Sequence, residues 1–267
     1  MNRWLVVFVC YDPNPDYLSY IKKIKAFMKF IIIKDIVIVN TLLGEIVSPS
    51  GNKLIVDSNN HLNTEMEFSG YYYGLEWYND KKSYSEGTGH SFILLNDTVM
   101  KHGKLRKIEQ VAFSEWKLKS KFWFFSKPAI LGFWHVSKFL KATEMEEGYF
   151  NSKFLAFKNV SFDNFKALIN LNHIKVTLTC DNTYKNNTFI SENYSLFLKH
   201  WLNQGDGWYK AERINDRNKL FFIAKAKSII HEHYLSKHSK ELYIKHYCMI
   251  KSSILARMIM LFTGLKY

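Results

Sequence analysis

The sequence predicts an α/β fold: a single domain built on a mixed, mainly parallel central sheet, followed by a C-terminal helical extension. Short apolar runs rich in Val and Ile recur along the first 100 residues, without the alternation of a half-exposed strand. Such runs are typical of strands buried on both faces of a parallel sheet. Between several of them stand segments with apolar residues at helical spacing. We expect the domain to span residues 1–190 and the extension residues 191–267.

The individual elements are predicted in chain order. The run at residues 4–10 ends at an Asp-Pro-Asn-Pro segment that begins with Asp12, which predicts a strand entering a loop. Asp16 precedes apolar residues at helical spacing and is a residue type that favours the N-cap, so a helix is expected there. Further strands are predicted at 35–40, 53–57 and 91–95, a turn at 44–52 and a helix at 64–78. In the second half, strands are predicted at 128–133, 153–157 and 173–179, a helix at 162–169, and helices beyond residue 191.

Polar residues close several of these strands. Asn40 ends the second strand, Asp57 ends the third, and Asn96 and Asp97 follow the fourth. In an open α/β sheet, ligands bind beyond the carboxyl ends of the strands. We therefore expect Asp12, Asn40, Asp57 and Asp97 to lie near one another in a Rossmann-like arrangement.

The composition indicates a globular protein with an anionic partner. Hydrophobic residues make up 47% and charged residues 23% of the 267 residues, which supports a normal buried core. The net charge of +13 is compatible with nucleic acid, acidic lipid or a phosphorylated substrate. Three cysteines without a CxxC pair favour a reducing compartment such as the cytoplasm. No uninterrupted apolar run reaches the roughly 18 residues of a membrane span, so none is expected.

One stretch carries a family resemblance. Residues Asn63 to Glu76 read NTEMEFSGYYYGLE, and the apolar strand that follows ends in FILLNDTV. Here the sequence resembles the GT-A class of glycosyltransferases, particularly bacterial enzymes of O-antigen, lipopolysaccharide and capsule synthesis, over roughly the first 160 residues. The resemblance implies a GT-A catalytic domain with a donor half at 1–100 and an acceptor half at 101–190. It also implies a nucleotide-sugar donor.

The resemblance implies that Asn63, Glu67 and Gly70 contact the donor and that Asp97 lies beside the diphosphate or its metal. Asn96, next to Asp97, is expected among the donor-binding residues, and Asp12 and Asn40, at the ends of the first two strands, are expected beside the nucleoside. A pyrophosphate leaving group develops negative charge that Mg²⁺ or Mn²⁺ held by a carboxylate can neutralise. A divalent metal at Asp97 is therefore the expected cofactor.

The strand-end motif also leaves alternatives open. Residues 96–98, Asn-Asp-Thr, hold one carboxylate where the usual D-x-D motif of the class holds two. Basic side chains are the alternative charge partners of the diphosphate: Lys101, Lys104 and Arg106. Asn and Asp also favour strand-ending turns, which is the alternative explanation of the motif itself.

A second resemblance concerns residues 149–157, YFNSKFLAF. They are similar to the QS-x-F-L-x-F segment of rhamnan-synthesis and related polysaccharide transferases, where this region borders the acceptor. Glu144, Glu146 and Glu147 come just before it. The resemblance implies that Glu147, with Glu146 as the second choice, is the general base that takes the proton of the acceptor hydroxyl. The alternative is a solvated acidic patch at a helix start.

The expected acceptor is a surface polysaccharide or a lipid-linked oligosaccharide. Residues 220–262 combine apolar residues at helical spacing with Lys and Arg, which is compatible with an in-plane helix on anionic lipid. A helix packed on the core is the alternative. We expect a cytoplasmic protein that is peripheral on the cytoplasmic face of the inner membrane. The sequence His231-Glu232-His233 is interpreted as part of a basic helix face, because histidines two apart on a helix point away from each other.

Two other functions compete with this one. The positive charge and the aromatic content are compatible with a nucleic-acid-binding protein. The basic residues are spread along the chain and form no recognised binding module, so no nucleic-acid partner is expected. The single carboxylate of residues 96–98 is compatible with a catalytically inactive GT-A-like subunit.

Overall fold

The computed structural model describes residues 3–29, 31–58, 64–82, 90–101, 105–119, 127–136, 148–169, 175–186, 191–203 and 212–263. Within these ranges it contains ten strands and nine helices. Their order is β1 (Trp4–Cys10), α1 (Tyr17–Phe27), β2 (Ile33–Asn40), β3 (Glu45–Ser50), β4 (Lys53–Ser58), α2 (Glu67–Lys82), β5 (His90–Asn96), α3 (Thr98–Lys101), α4 (Lys107–Lys119), β6 (Ala129–Val136), β7 (Gly148–Val160), α5 (Phe162–Ile169), β8 (Val176–Leu178), β9 (Tyr184–Asn186), α6 (Glu192–Asn203), α7 (Lys219–Glu241), β10 (Lys245–Cys248), α8 (Met249–Ser252) and α9 (Ile254–Thr263).

Eight of these strands form one sheet, in the order β10-β6-β7-β5-β1-β2-β3-β4, while β8 and β9 pair separately. β1 is parallel to β2 and β5, and β10 is parallel to β6. β3 and β7 run antiparallel to both of their neighbours. Six strands of the described sheet therefore point in one direction and two in the other. The expected α/β fold with a mixed, mainly parallel sheet is confirmed.

The central strand β1 is apolar throughout because helices cover both faces of the sheet. Val6 and Phe8 face a hydrophobic layer to which α1, α4, α8 and α9 contribute. Leu5 and Val7 face the opposite layer, formed with α2, α5 and α7. Successive side chains of a strand point to opposite faces, so both sets are buried only in a sheet that is covered twice.

Two glycines bring α2 close to the sheet. A Cβ atom on Gly70 would lie 2.7 Å from both methyl groups of Val9, and one on Gly74 would lie 2.8 Å from methyl groups of Val7 and Val39. Both separations are shorter than ordinary van der Waals contact. The glycines, four residues apart on one helix face, therefore set the distance between α2 and strands β1 and β2.

The region between β2 and α2 differs from the predicted pattern. Residues 44–52, expected as a turn, contain strand β3, and β2, β3 and β4 form an antiparallel meander. The turn is only Gly51-Asn52, which connects Ser50 to its partner Lys53, and Gly51 has φ +60°. A two-residue loop that begins with a glycine at positive φ is a hairpin signal. The strand predicted at 53–57 is confirmed as β4, whereas the prediction of a continuous turn over residues 44–52 was wrong.

The segment beyond residue 191 contributes more than helices. It contains α6, α7, α8 and α9, but also β10, which pairs in parallel with β6 and forms one edge of the sheet. The sequence pattern did not predict this strand. Residues of α6 and α7 form a third hydrophobic cluster with β8 and β9. The described C-terminal segment is thus joined to the central sheet as well as packed on it.

Candidate functional site

Strands β1, β2 and β5 end side by side, and Asn40 joins the first two loops. The Asn40 side chain is fully buried, and its Nδ2 donates a hydrogen bond to the Asp12 carbonyl oxygen at 2.7 Å. In return, the Asp12 backbone N–H donates to Asn40 Oδ1 at 3.4 Å. The Asp12 carboxylate accepts from the Tyr20 hydroxyl and from the Asn14 backbone N–H. Buried polar groups persist where hydrogen bonds satisfy them, so Asn40 fixes the geometry of this edge.

Asp97 reaches the same edge from β5. Its backbone N–H donates to the Val9 carbonyl at 2.9 Å, and its carboxylate accepts from the Tyr11 backbone N–H at 3.4 Å. Asp12, Asn40 and Asp97 thus meet around the loop after β1, as predicted. Asp57 does not join them: it lies on the edge strand β4, where it accepts a hydrogen bond from the Trp77 indole. The prediction for Asp57 was wrong because β3 and β4 extend the sheet away from β1.

Exposed apolar side chains surround this polar centre. Tyr11 lies directly before Asp12 and is exposed, and Leu42 and Leu43, just after Asn40, are exposed too. The backbone N–H groups of both leucines point to Asn40 Oδ1, at 3.1 and 3.4 Å. A solvent-facing aromatic ring beside buried hydrogen-bonding groups is a surface on which a planar base can stack.

A group of three carboxylates adjoins this edge on the α2 side of the sheet. Glu67, Asp97 and Glu232 all interact electrostatically with the hydroxyl of Tyr71, and we call them the carboxylate cluster. Tyr71 is fully buried and donates a hydrogen bond to the Ser152 carbonyl at 2.9 Å. Burial raises the pKa of Tyr71 well above its usual value, and the three negative charges raise it further. The Tyr71 hydroxyl therefore remains a neutral donor.

Glu67, the first residue of α2, is held by two hydroxyl groups. Its Oε1 accepts from the Ser152 hydroxyl on β7 and from the Ser228 hydroxyl on α7, the latter at 3.3 Å. These bonds join three elements at one carboxylate oxygen. Glu67, predicted beside the donor, thus lies within the carboxylate cluster.

Glu232 on α7 is part of this site although no sequence motif identified it. Its Oε1 accepts from the Ser152 backbone N–H at 2.7 Å. Burial raises the pKa of Glu232 to about 7, and the nearby Glu67 charge adds to the rise while Lys225 opposes it. A carboxyl group with this pKa exchanges a proton readily at neutral pH.

A polar stripe on α7 explains why Glu232 lies there. Ser228, Glu232 and Ser236 are four residues apart and share one face of the helix. Strand β7 extends beyond the end of β5. In this extension the Phe150 backbone N–H donates to Ser236 Oγ at 3.0 Å, and the Ser152 backbone N–H donates to Glu232 Oε1. The stripe therefore satisfies backbone groups of β7 that β5 does not reach. A Ser or Glu at every fourth position of α7 is the sequence signal that could have identified this face.

The two histidines that flank Glu232 are buried, so their interpretation as a basic helix face was wrong. His231 Nε2 lies 3.0 Å from Glu65 Oε2, and Lys227 Nζ lies 3.6 Å from the other oxygen of Glu65. Burial lowers the pKa of His231 and lowers that of His233 to about 3. The Tyr194 hydroxyl contacts His233 Nδ1 at 2.5 Å, on a different side of the helix.

Asn96 has a polar atom that the described residues leave unsatisfied. Its side chain is buried and hydrogen-bonds to the Tyr71 hydroxyl, whereas Oδ1 has no hydrogen-bond partner in the described part of the chain. A buried acceptor of this kind is expected to be satisfied by water or by a ligand. Its position at the end of β5, next to Asp97, is the one predicted for a donor-contacting residue.

The remaining predicted residues fall into two groups. Gly70 is buried on the face of α2 that packs on β1, and its missing side chain is explained by contact with Val9. Arg106 pairs with the buried Glu109 at 3.1 Å, and Lys153 contacts the same carboxylate. Six predicted residues lie outside the described residues or have a side chain that is not described: Asn63, Lys101, Lys104, Glu144, Glu146 and Glu147.

Among the described residues, no group of three or more His, Cys, Asp or Glu side chains is arranged to hold a metal ion. No protein-family model, curated protein or solved structure matches the chain.

Proposed function

We propose that the protein is a glycosyltransferase that moves a sugar from a nucleotide-sugar donor to a hydroxyl of a surface polysaccharide or lipid-linked oligosaccharide. The observation that carries the proposal is the meeting of Asp12, Asn40 and Asp97 beyond the parallel strands β1, β2 and β5. Ligands of open α/β sheets bind at this edge. The GT-A form of the fold belongs to the same proposal, supported by the mixed sheet and by the close-packed α2 before the Asn96-Asp97 strand end.

The donor lies along this edge. Its base stacks on the exposed Tyr11 ring, beside Asp12 and Asn40. Its diphosphate lies beside Asp97, and a sugar hydroxyl donates a hydrogen bond to the buried Asn96 Oδ1. This arrangement gives Asn96 Oδ1 the hydrogen-bond partner that it lacks among the described residues.

A single carboxylate fits one kind of metal binding. Mg²⁺ is commonly held by one or two carboxylates together with substrate phosphates and water, and not by a cage of protein ligands alone. Asp97 is the carboxylate that would hold the ion with the donor diphosphate, where the ion would neutralise charge on the leaving group. The lack of a three-ligand group among the described residues is compatible with this shared mode.

The transfer needs a base for the acceptor. The base takes the proton of the acceptor hydroxyl, the oxygen bonds to the anomeric carbon, and the nucleoside diphosphate leaves with the electrons of the broken carbon–oxygen bond. Glu147 and then Glu146 remain the residues proposed from the resemblance. Glu232 is a third candidate, because its pKa of about 7 suits proton acceptance at neutral pH.

A catalytically inactive GT-A-like subunit is the second candidate function. The single acid of residues 96–98 favours it. Turnover separates the two: an active transferase releases nucleoside diphosphate from a nucleotide-sugar when acceptor is present, whereas an inactive subunit binds the nucleotide without releasing product.

Nucleotide binding tests the proposal. Thermal unfolding is followed with UDP, GDP, CMP and dTDP, with and without Mn²⁺. A ligand at 100 times its Kd stabilises the folded state by about 2.7 kcal/mol, or about 5–10 °C for a domain of this size. We expect one nucleotide to raise the melting temperature and Asp97→Ala to abolish the rise.

The matched control for Asp97→Ala is Asp80→Ala, which removes an exposed carboxylate near the end of α2. It should keep the full shift. If no nucleotide stabilises the wild type at millimolar concentration, or if both variants respond alike, the donor site is wrongly assigned.

A further inference from the structure

Helix α9 is anchored at its start. The carboxylate of Glu115, on α4, accepts hydrogen bonds from the Ser253 hydroxyl and from the backbone N–H groups of Ile254 and Leu255, the last two at 3.2 and 3.0 Å. A carboxylate at the first turn of a helix satisfies N–H groups that have no partner within the helix, and it also complements the helix dipole. These bonds fix α9 relative to α4. The exposed face of α9 is therefore defined by the fold.

That exposed face is strongly apolar. Ala256 is the one buried residue of the helix, and Met260 packs against the same core. On the opposite side lie five large exposed side chains: Ile254, Leu255, Met258, Leu261 and Phe262. At 3.6 residues per turn they form one stripe about 120° wide. Leu261 and Phe262 are 83% and 84% exposed, so most of each side chain faces solvent.

The charge around the stripe is positive. From residue 242 to residue 267 the sequence contains no Asp or Glu, whereas Lys245, Lys251, Arg257 and Lys266 are basic. Of these, Lys245, Lys251 and Arg257 are exposed in the structure. The carboxylate that the structure places at the start of the stripe, Glu115, is bound to the first turn of α9. An apolar stripe in a segment with basic and no acidic residues fits the boundary between headgroups and acyl chains of an anionic bilayer. A symmetric contact between two copies would instead bring the same positive charges together.

We propose that α9 lies in the plane of an anionic lipid surface, with the stripe in the apolar boundary and Lys251 and Arg257 at the headgroups. No helix in the described part of the chain is long and apolar enough to cross a membrane. The ten residues of α9 cover about 15 Å, half the thickness of a hydrocarbon core, which suits an in-plane position. The proposal needs no nucleotide or acceptor and stands apart from the proposed function.

Flotation with vesicles tests it. The full chain is mixed with vesicles of phosphatidylcholine and phosphatidylglycerol at about 7:3, and with phosphatidylcholine alone. The wild type should float with the anionic vesicles, less so as salt is raised, and much less with phosphatidylcholine alone. The double variant Leu261→Glu/Phe262→Glu should lose about a hundredfold in vesicle affinity, since two large apolar side chains no longer enter the boundary. Lys251→Gln and Arg257→Gln should each cost about fivefold.

The matched control is Leu220→Glu, at an exposed apolar residue on α7 that is 79% exposed. It should bind vesicles like the wild type, and thermal unfolding should show that all variants fold. Equal vesicle binding by the wild type and the double variant would overturn the proposal, as would a wild type that does not float with anionic vesicles. Light scattering without lipid tests whether the stripe binds a second copy of the chain instead. If the wild type is a dimer and the double variant a monomer, the stripe is a dimer interface and the lipid proposal is overturned.

Discussion

Replacing Glu232 with glutamine tests whether the pKa of Glu232 is raised in the carboxylate cluster, through the pH dependence of the free energy of unfolding. Burial and the Glu67 charge, opposed by Lys225, raise the pKa of Glu232 from 4.5 to about 7. The folded protein then binds this proton more tightly than the unfolded chain does. Its contribution to stability is fully present below about pH 4.5 and is lost as the pH rises through 7. Glutamine keeps an oxygen acceptor for the Ser152 N–H but cannot ionise.

The magnitude follows from the pKa difference. At 1.36 kcal/mol per pKa unit, ionising Glu232 in the folded state costs about 3 kcal/mol more than in the unfolded chain. At about pH 5 most of this cost is absent, and at about pH 8 it is present almost in full. We therefore expect the free energy of unfolding of Glu232→Gln, relative to the wild type, to rise by about 2–3 kcal/mol over this range.

Urea unfolding across this pH range measures the difference. Glu241→Gln is the control, because Glu241 is an exposed carboxylate at the end of the same helix. Its effect should stay within about 0.5 kcal/mol at every pH. A difference between Glu232→Gln and the wild type that does not change with pH, or that is largest at low pH, would refute the assigned environment of Glu232.

Two further substitutions test the packing around the site. Gly70→Ala should lower the free energy of unfolding, measured in urea, by about 1–2 kcal/mol, because overpacking against Val9 outweighs the gain in helix propensity. The control Asp80→Ala, on the same helix, should not lower it. An unchanged urea midpoint for Gly70→Ala would contradict the close approach of α2 to β1. His231→Leu should lower the free energy of unfolding by about 3 kcal/mol, since it removes the closer of the two partners of the buried Glu65 in the described part of the chain and leaves Lys227. Hydrogen exchange should then increase at the start of α2, and exchange like that of the wild type would count against this pair.

Much of the fold follows from local sequence patterns. The run at residues 4–10 became β1, and Asp16 caps α1 by accepting from the Ser19 backbone N–H at 3.0 Å. Both depend on neighbours in the chain, so a short window contains the signal. Strand β3 was missed because its register depends on the strands beside it, and the Gly51-Asn52 turn was read as part of a longer loop.

Some residues of the candidate site could also be predicted from the sequence, and others could not. Asp12, Asn40 and Asp97 end apolar strands, and the topology of an α/β sheet brings such ends together. Glu232 lies more than 130 residues after Asp97, and what makes it unusual is its contact with Ser152 on β7. The four-residue spacing of Ser228, Glu232 and Ser236 marks one face of α7, but it does not indicate that this face meets β7. Strand β10 escaped prediction for a similar reason, since its only strand partner among the described residues, β6, is more than 100 residues away.

A crystal structure with a bound nucleoside diphosphate would show whether the donor binds at the carboxyl ends of β1, β2 and β5. The nucleotide that gives the largest thermal shift is soaked in with Mn²⁺, and its position is read from the electron density. We expect the base beside Tyr11, Asp12 and Asn40, and the diphosphate beside Asp97, at the carboxyl ends of β1, β2 and β5. Density for the nucleotide anywhere else on the protein, with this edge empty, would contradict it.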